Sequence, residues 1–349
     1  MKNAPNLFTY ATKELSQDAV ICWLIEWSAH DSDAELDSDS ELARLGRNFV
    51  VSLLNHKRDA KTNLNDGPLE VEIHRQDNGI DVLARINKRH VLLIEDKTDS
   101  QPHSGQLERY KEGVLSDQTR LKGVLQEDLC AIYFKTGNHS REAVREIENK
   151  SGYKVFDRAD FLDVLSDYGG DNAILSDFKK HLELIEKKTQ SFHAWRRTDC
   201  KGDGSWYPWE GLYRELERRL FDSDSALPGR GWGYVPNPSG GFLGFWWVPP
   251  ELPEGCPAYL QLEFEKLCFK VGAEGSSTDQ QDELKWKWHK RITGQHERVV
   301  KPNRMRRGAT MTVAVHEEGW LRYDNQGNLS IDDTVEALRQ AERWLLSAA

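Results

Sequence analysis

Asp81 and, fourteen residues further on, the tripeptide Glu95-Asp96-Lys97 supply two carboxylates and a lysine at a spacing that suits divalent-metal phosphodiester chemistry. Gly79 to Ile86 reads as a strand, Asn87-Lys88-Arg89 as a turn and His90 to Lys97 as a second strand. In a hairpin centred on Lys88, Asp81 and Glu95 lie seven residues either side of the turn and oppose each other. Side chains alternate along a strand, so Leu93, Glu95 and Lys97 share Asp81's face while Leu92, Ile94 and Asp96 point the other way. Two carboxylates at cross-strand distance repel, a cost with no folding rationale unless a cation lies between them. Mg²⁺ takes one or two carboxylates and keeps water positions for a phosphate, and a nearby lysine can orient water or stabilise developing charge.

A lone Glu-x-Lys is common, and an Asp near a turn is often solvated surface. Here an apolar strand, Val91 to Ile94, ends on the motif, and a polar loop leads into a helix beginning near Ser104. On these residues the chain resembles the PD-(D/E)XK nuclease superfamily, which includes restriction endonucleases and lambda-exonuclease-type enzymes. Asp81 matches the first acid, and Glu95 and Lys97 the (D/E)-x-K element. Gln106 and Tyr110 match the Q-x-x-x-Y helix of the exonuclease-like branch. Spaced i and i+4, Gln106 and Tyr110 share a helical face and could both meet DNA or the active site, although a core aromatic is an equal alternative for Tyr110. Ile80 replaces the family's proline.

The resemblance extends upstream to Ala11 to Leu24, which looks like the opening helix of a bacterial branch. In such nucleases a first-helix acid often completes the site, which implies Glu14, with Asp18 one turn on. A glutamate in a first turn also stabilises the helix dipole. The resemblance covers about the first half of the chain and is specific around residues 79–110.

At 349 residues the chain can hold two cores, and a composition shift near residue 190 divides it into 1–190 and 191–349. Ten of the twelve tryptophans lie beyond that shift. No apolar run approaches the length of a membrane span, and the first residues lack a signal peptide's apolar region, so a cytoplasmic protein with no membrane partner is expected. Five scattered cysteines without a Cys-x-x-Cys pair argue for reduced thiols rather than disulfides or structural zinc. A formal charge of −10 counts against nucleic acid, but acids concentrate in Asp31 to Glu41, which reads as a solvated loop, so local patches outweigh the sum.

Further strands are expected at Asp128 to Lys135 and Tyr153 to Phe156, with helices at Arg141 to Asn149, Phe161 to Leu165 and Asp177 to Lys188. That order suits an α/β fold whose mixed sheet is flanked by helices, as in restriction endonucleases. Beyond residue 190, Trp232 to Val248 reads as a hairpin, Tyr259 to Val271 as one strand, Thr310 to Tyr323 as a hairpin and Asp332 to Leu346 as a capped helix, a second α+β domain. Within it, Leu284 to Gly308 holds Lys285, Lys287, Lys290, Arg291, Arg298, Lys301, Arg304, Arg306 and Arg307 against one acid, Glu297. Trp286 and Trp288 interleave with the lysines, the combination used on single strands; a tryptophan core under a solvated basic face is the alternative.

These residues support the expectation of a Mg²⁺-dependent hydrolase of DNA phosphodiester bonds, with Mn²⁺ as a substitute ion. Asp81 and Glu95 would be metal ligands aided by the Asp96 carbonyl, Lys97 would activate or position water, and Gln106 would orient substrate or water. A role in defence against foreign DNA is family analogy. The competing expectations are a non-cleaving module that binds nucleic acid or protein, and a nuclease gated by a ligand or protein at its C-terminal domain. Family habit also allows a homodimer.

Overall fold

A computed structural model of the chain describes residues 6–11, 13–30, 38–59, 61–64, 67–100, 104–117, 121, 124–199, 205–221, 229–237 and 240–349. Cys200, Thr12 of the expected opening helix and residues 31–37 of the acidic run lie outside these; the run's last residues already belong to a helix. The chain is mixed α/β and divides into two compact units: Met1–Asn138 with Val144–Glu186, and His139–Ala143 with Lys187–Ala349.

In the first unit α1 (Glu14–Trp27) and α2 (Ser38–Asn55) precede three antiparallel strands, β1 (Val71–Asp77), β2 (Ile80–Ile86) and β3 (His90–Lys97). Helix α3 (Gln106–Ser116) then leads to β4 (Leu129–Lys135), α4 (Arg141–Ser151), β5 (Lys154–Asp157), α5 (Arg158–Ser166) and α6 (Ala173–Thr189). Strands β3, β4 and β5 run parallel, so the five-stranded sheet, ordered β1-β2-β3-β4-β5, is mixed. Central β3 is buried from Val91 onward. On one face Leu92 and Ile94 join Val82, Ile132 and Phe134 against apolar residues of α1, α2, α5 and α6. On the other, Val91 and Leu93 join Leu83, Tyr133 and Val155 against Leu107 and Val114 of α3. Each face is therefore a closed core, and β3 carries its charged end into the interior.

Asn78-Gly79, both with positive φ, joins β1 to β2, the dipeptide that favours a two-residue hairpin loop. Strand β1 and helix α2 lie where no element was expected. Gly46 of α2 permits close helix packing: a Cβ there would meet the Leu24 carbonyl oxygen at 2.5 Å.

The second unit is a six-stranded antiparallel sheet, ordered β10-β11-β9-β8-β7-β6, with helices α7 (Tyr207–Leu220), α8 (Thr278–Thr293) and α9 (Ile331–Ala348). Its strands are β6 (Gly231–Val235), β7 (Phe242–Trp247), β8 (Ala258–Glu263), β9 (Lys266–Gly272), β10 (Val299–Val300) and β11 (Thr310–His316). Trp209, Trp232, Trp247, Trp288 and Trp320 are core residues. Two expectations are corrected here. Tyr259 to Val271 is a hairpin, not one strand: the chain reverses at Phe264, whose φ of +52° is held because its N–H donates to Tyr213 Oη at 3.2 Å and its carbonyl accepts from Trp320 Nε1 at 2.6 Å. Thr310 to Tyr323 holds one strand, β11 (Thr310–His316), not a hairpin: β11 is already paired on both edges, with β9 and β10, and the chain after His316 leaves the sheet.

Candidate active site

The β2–β3 register pairs Val82 with Ile94 and Ile86 with His90, and one further step sets Asp81 opposite Glu95. Lys97 gathers the acids. Its Nζ lies 2.6 Å from Glu95 Oε1, 3.5 Å from Asp81 Oδ2, 3.8 Å from Glu14 Oε2 and 2.9 Å from the Asp96 carbonyl oxygen. Asp81 Oδ2 also accepts the Asp96 N–H at 2.9 Å. Gln106, at the start of α3, donates to Glu95 Oε1 at 2.7 Å and to Tyr110 Oη at 3.1 Å. Gly79 makes room for that phenol: a Cβ there would lie 2.8 Å from Tyr110 Oη. Glu14, the first residue of α1, accepts from Ser100 Oγ at 2.6 Å and Thr98 N–H at 3.3 Å, fastening the segment that follows β3. Asp81, Glu95, Lys97, Gln106, Tyr110 and Glu14 thus converge from α1, β2, β3 and α3.

Burial, then the charge of Asp81, pushes the Glu95 carboxyl up to about 7 against the pull of Lys97. Burial alone would lower the Lys97 ammonium, but its hydrogen bond to Glu95 and the charges of Glu95, Asp81 and Glu14 outweigh it and raise the pKa. The lysine therefore stays protonated among three carboxylates. On the opposite face of β3 the Asp96 carboxyl is fully buried, accepts from Gln17 Nε2, and is pushed well above the usual range by burial and by Asp18. Burial and Asp81 raise Asp18 to about 6. Asp18 Oδ1 and Asp96 Oδ2 have no hydrogen-bond partner among the described residues, and a proton on either carboxyl would join them.

Neither a family model, nor a curated protein, nor a solved structure matches the chain. The assignment of chemistry rests on the site itself.

Among the described residues no group of three or more His, Cys, Asp or Glu side chains is placed to hold a metal ion. The donor set that would fit Mg²⁺ is two carboxylates, Asp81 and Glu95, with the Asp96 carbonyl, all hard oxygens as that ion requires. Glu95 Oε2 is buried with no hydrogen-bond partner among the described residues, an acceptor that a cation would satisfy. These residues fit the ion.

Several site residues have no counterpart in the sequence reading. Gln76 Nε2 donates to Asp81 Oδ1 and to Asp18 Oδ2, each at 3.1 Å. Asn78-Gly79 was its signal, since a two-residue loop sets residue 76 across from residue 81. Gln17 accepts from Thr136 Oγ1 at 2.6 Å, and the buried Lys135 donates to the Ser100 carbonyl at 2.7 Å. Tyr133, beside Glu95 in the β3–β4 register, and Tyr153 are buried phenols whose pKa values burial and the Glu95 charge raise.

In the second unit Lys287, Arg304 and Arg306 are exposed. Lys285 is buried on α8 with its ammonium 2.6 Å from Asp282, and Arg307 pairs with the same carboxylate. Trp286 is 50 % exposed and carries Lys301 Nζ 5.1 Å and Lys285 Nζ 5.7 Å from its ring centroid, whereas Trp288 is core. A cleft of about 910 Å³ elsewhere in this unit is lined by residues that include Trp206, Phe264, Tyr323, Arg197 and Glu317.

Proposed function

We propose that the first unit is a restriction-endonuclease-like, Mg²⁺-dependent nuclease that hydrolyses DNA phosphodiester bonds. The observation that carries this reading is the convergence of Asp81, Glu95 and the Asp96 carbonyl on the protonated Lys97 ammonium, at the end of a strand buried on both faces. A fold gains little from burying like charges, and acids in this arrangement are costly unless a cation and a reaction use them. Bound there, Mg²⁺ would polarise the phosphate and lower the pKa of its water.

The chain's own groups do the rest. Asp81 and Glu95 supply the negative charge that holds the ion. Lys97, kept protonated by its acids, orients water and donates to oxygen that gains charge as phosphorus is attacked and the bridging P–O bond breaks. Gln106 fixes Glu95, and Glu14 anchors the loop beyond Lys97. The exposed Lys287, Arg304 and Arg306 supply backbone contacts to nucleic acid, with Trp286 as a stacking surface.

The test is cleavage of plasmid and linear DNA by purified protein with Mg²⁺ or Mn²⁺ and with EDTA, alongside Lys97→Ala. Metal-dependent cutting by wild type alone supports the reading. Binding without cutting favours the non-cleaving module. The aromatic cleft of the second unit favours one addition, a ligand or partner there that gates the nuclease, which a dormant enzyme woken by an added compound would reveal.

A further inference from the structure

Gln76 has a backbone that its residue type does not favour and a side chain on two acids of the site. Among the described residues it is the only non-glycine with positive φ, +54°, inside a strand; the others lie in turns or just past a helix end. The β1–β2 pairs step from Arg75–Val82 to Asp77–Ile80 and pass over Gln76 and Asp81, so the ladder is interrupted at this point. In place of that pairing, Nε2 lies 3.1 Å from both Asp81 Oδ1 and Asp18 Oδ2. A carboxamide nitrogen has two N–H groups, one for each carboxylate, and among neutral side chains only glutamine and the shorter asparagine donate twice from one atom. Left-handed residues of this kind persist where the surroundings hold them, and they gather at functional sites.

Asp81 is thereby fixed at both oxygens, with Gln76 on Oδ1 and the Asp96 N–H on Oδ2. The same amide stands between Asp81 and the buried Asp18, whose carboxylates would otherwise face each other without a donor between them. Resting on the proposed nuclease reading, we infer that Gln76 is a positioning residue: it holds the Asp81 carboxylate in the orientation a divalent cation needs and screens it from Asp18. Partners that orient a ligating carboxylate typically change metal affinity by about 10–100-fold when removed.

The experiment uses full-length Gln76→Gly and Gln76→Asn. Glycine adopts positive φ freely and asparagine tolerates it, so both keep the backbone, but neither spans the two acids. Mg²⁺ binding is read by calorimetry, and the Asp81 orientation by crystal structures grown without Mg²⁺. The expected result is folded variants whose Mg²⁺ dissociation constant rises at least about tenfold and whose Asp81 side chain leaves its present orientation. An unmoved Asp81, or Mg²⁺ affinity within twofold of wild type, overturns the assignment; a lower Tm with unchanged affinity marks Gln76 as a tie between β1 and α1 only. If wild type takes up no Mg²⁺, the nuclease reading fails instead, and the crystal structures still decide whether Gln76 holds Asp81.

Discussion

Both units bury lysine against acid, and Lys97 of the first and Lys285 of the second are used in opposite ways. Lys97 meets Glu95 from its own strand, Asp81 from the neighbouring strand and Glu14 from a helix far away in sequence. Lys285 meets Asp282, three residues back on the same helix, and Arg307 shares that carboxylate. The second arrangement is ordinary helix-surface pairing, in which the cations outnumber the acid. The first gathers more acids than its lysine neutralises: the β2–β3 hairpin brings Asp81 to Glu95 and Lys97, and packing of α1 on the sheet adds Glu14. Remote convergence of conflicting charge, rather than burial of a lysine, separates a candidate site from a paired surface.

The largest effect should come from Lys97→Ala, expected to lower the cleavage rate constant by at least about a hundredfold while leaving a cooperative melt. The fold survives because Glu95, already raised to about 7, can take a proton once its lysine is gone. Lys285→Ala should change the rate constant little, and equal losses from the two substitutions would erase the contrast. Next, Asp81→Asn and Glu95→Gln should each abolish metal-dependent cutting and Mg²⁺ stabilisation, with Tm in EDTA equal to or above wild type. Wild type should gain about 2.7 kcal/mol at a hundred times its Mg²⁺ dissociation constant. If wild type gains nothing and both variants melt lower, the carboxylates are structural.

The Asp81–Glu95 opposition was legible because the turn at Asn87-Lys88-Arg89 fixes a register and register fixes a face. The Gln106–Tyr110 contact followed from helical spacing, whereas the Gln106 bond to Glu95 depends on how α3 packs on the sheet. Asp96 could be assigned its face but not its neighbours, since Gln17 and Asp18 reach it from α1 and no local pattern encodes that packing. Gln76 was within reach through Asn78-Gly79, but only after β1 had been seen as a strand, and its Glu72, His74, Arg75 and Gln76 hide the apolar alternation. The reversal at Phe264 had no turn residue to announce it, because Tyr213 and Trp320 hold it from elsewhere in the core. The basic segment was legible as composition, yet which of its cations are free depends on Asp282, upstream of that segment on α8.

pH sharpens the contrast more gently. Glu95 rises from an ordinary 4.5 to about 7 and Asp18 from 3.8 to about 6, so the folded state binds these protons more tightly than the unfolded chain does. Their contribution is fully present below the unfolded values and is lost as pH rises through about 6 to 7. In EDTA, stability should therefore decline between pH 4 and pH 7 through these groups, and Mg²⁺ stabilisation should grow over the same window as Glu95 ionises. In Asp81→Asn the decline should shrink, because one of the charges raising both groups is gone. Urea titrations at several pH values measure both, and a decline unchanged in Asp81→Asn would place its source outside the site.

The smallest effect belongs to the second unit. Neutralising Arg304, Arg306 and Arg307 together should weaken DNA binding without changing the cleavage step, and should make log affinity less dependent on log salt, by about one unit of slope per lost phosphate contact. Arg304 and Arg306 are exposed and should each account for such a unit. Arg307 should account for less, because it and Lys285 already hold the Asp282 carboxyl down to about 2 and share its charge. Asp282→Asn is the converse substitution: with the carboxylate gone, Arg307 becomes available to phosphate, and the salt dependence should steepen beyond wild type. Fluorescence anisotropy of labelled DNA across a salt series distinguishes the cases. Should the triple variant and Asp282→Asn both keep the wild-type slope, the segment does not touch DNA, its charges serve a protein partner or the solvated surface, and the first unit alone carries whatever grip the chain has on its substrate.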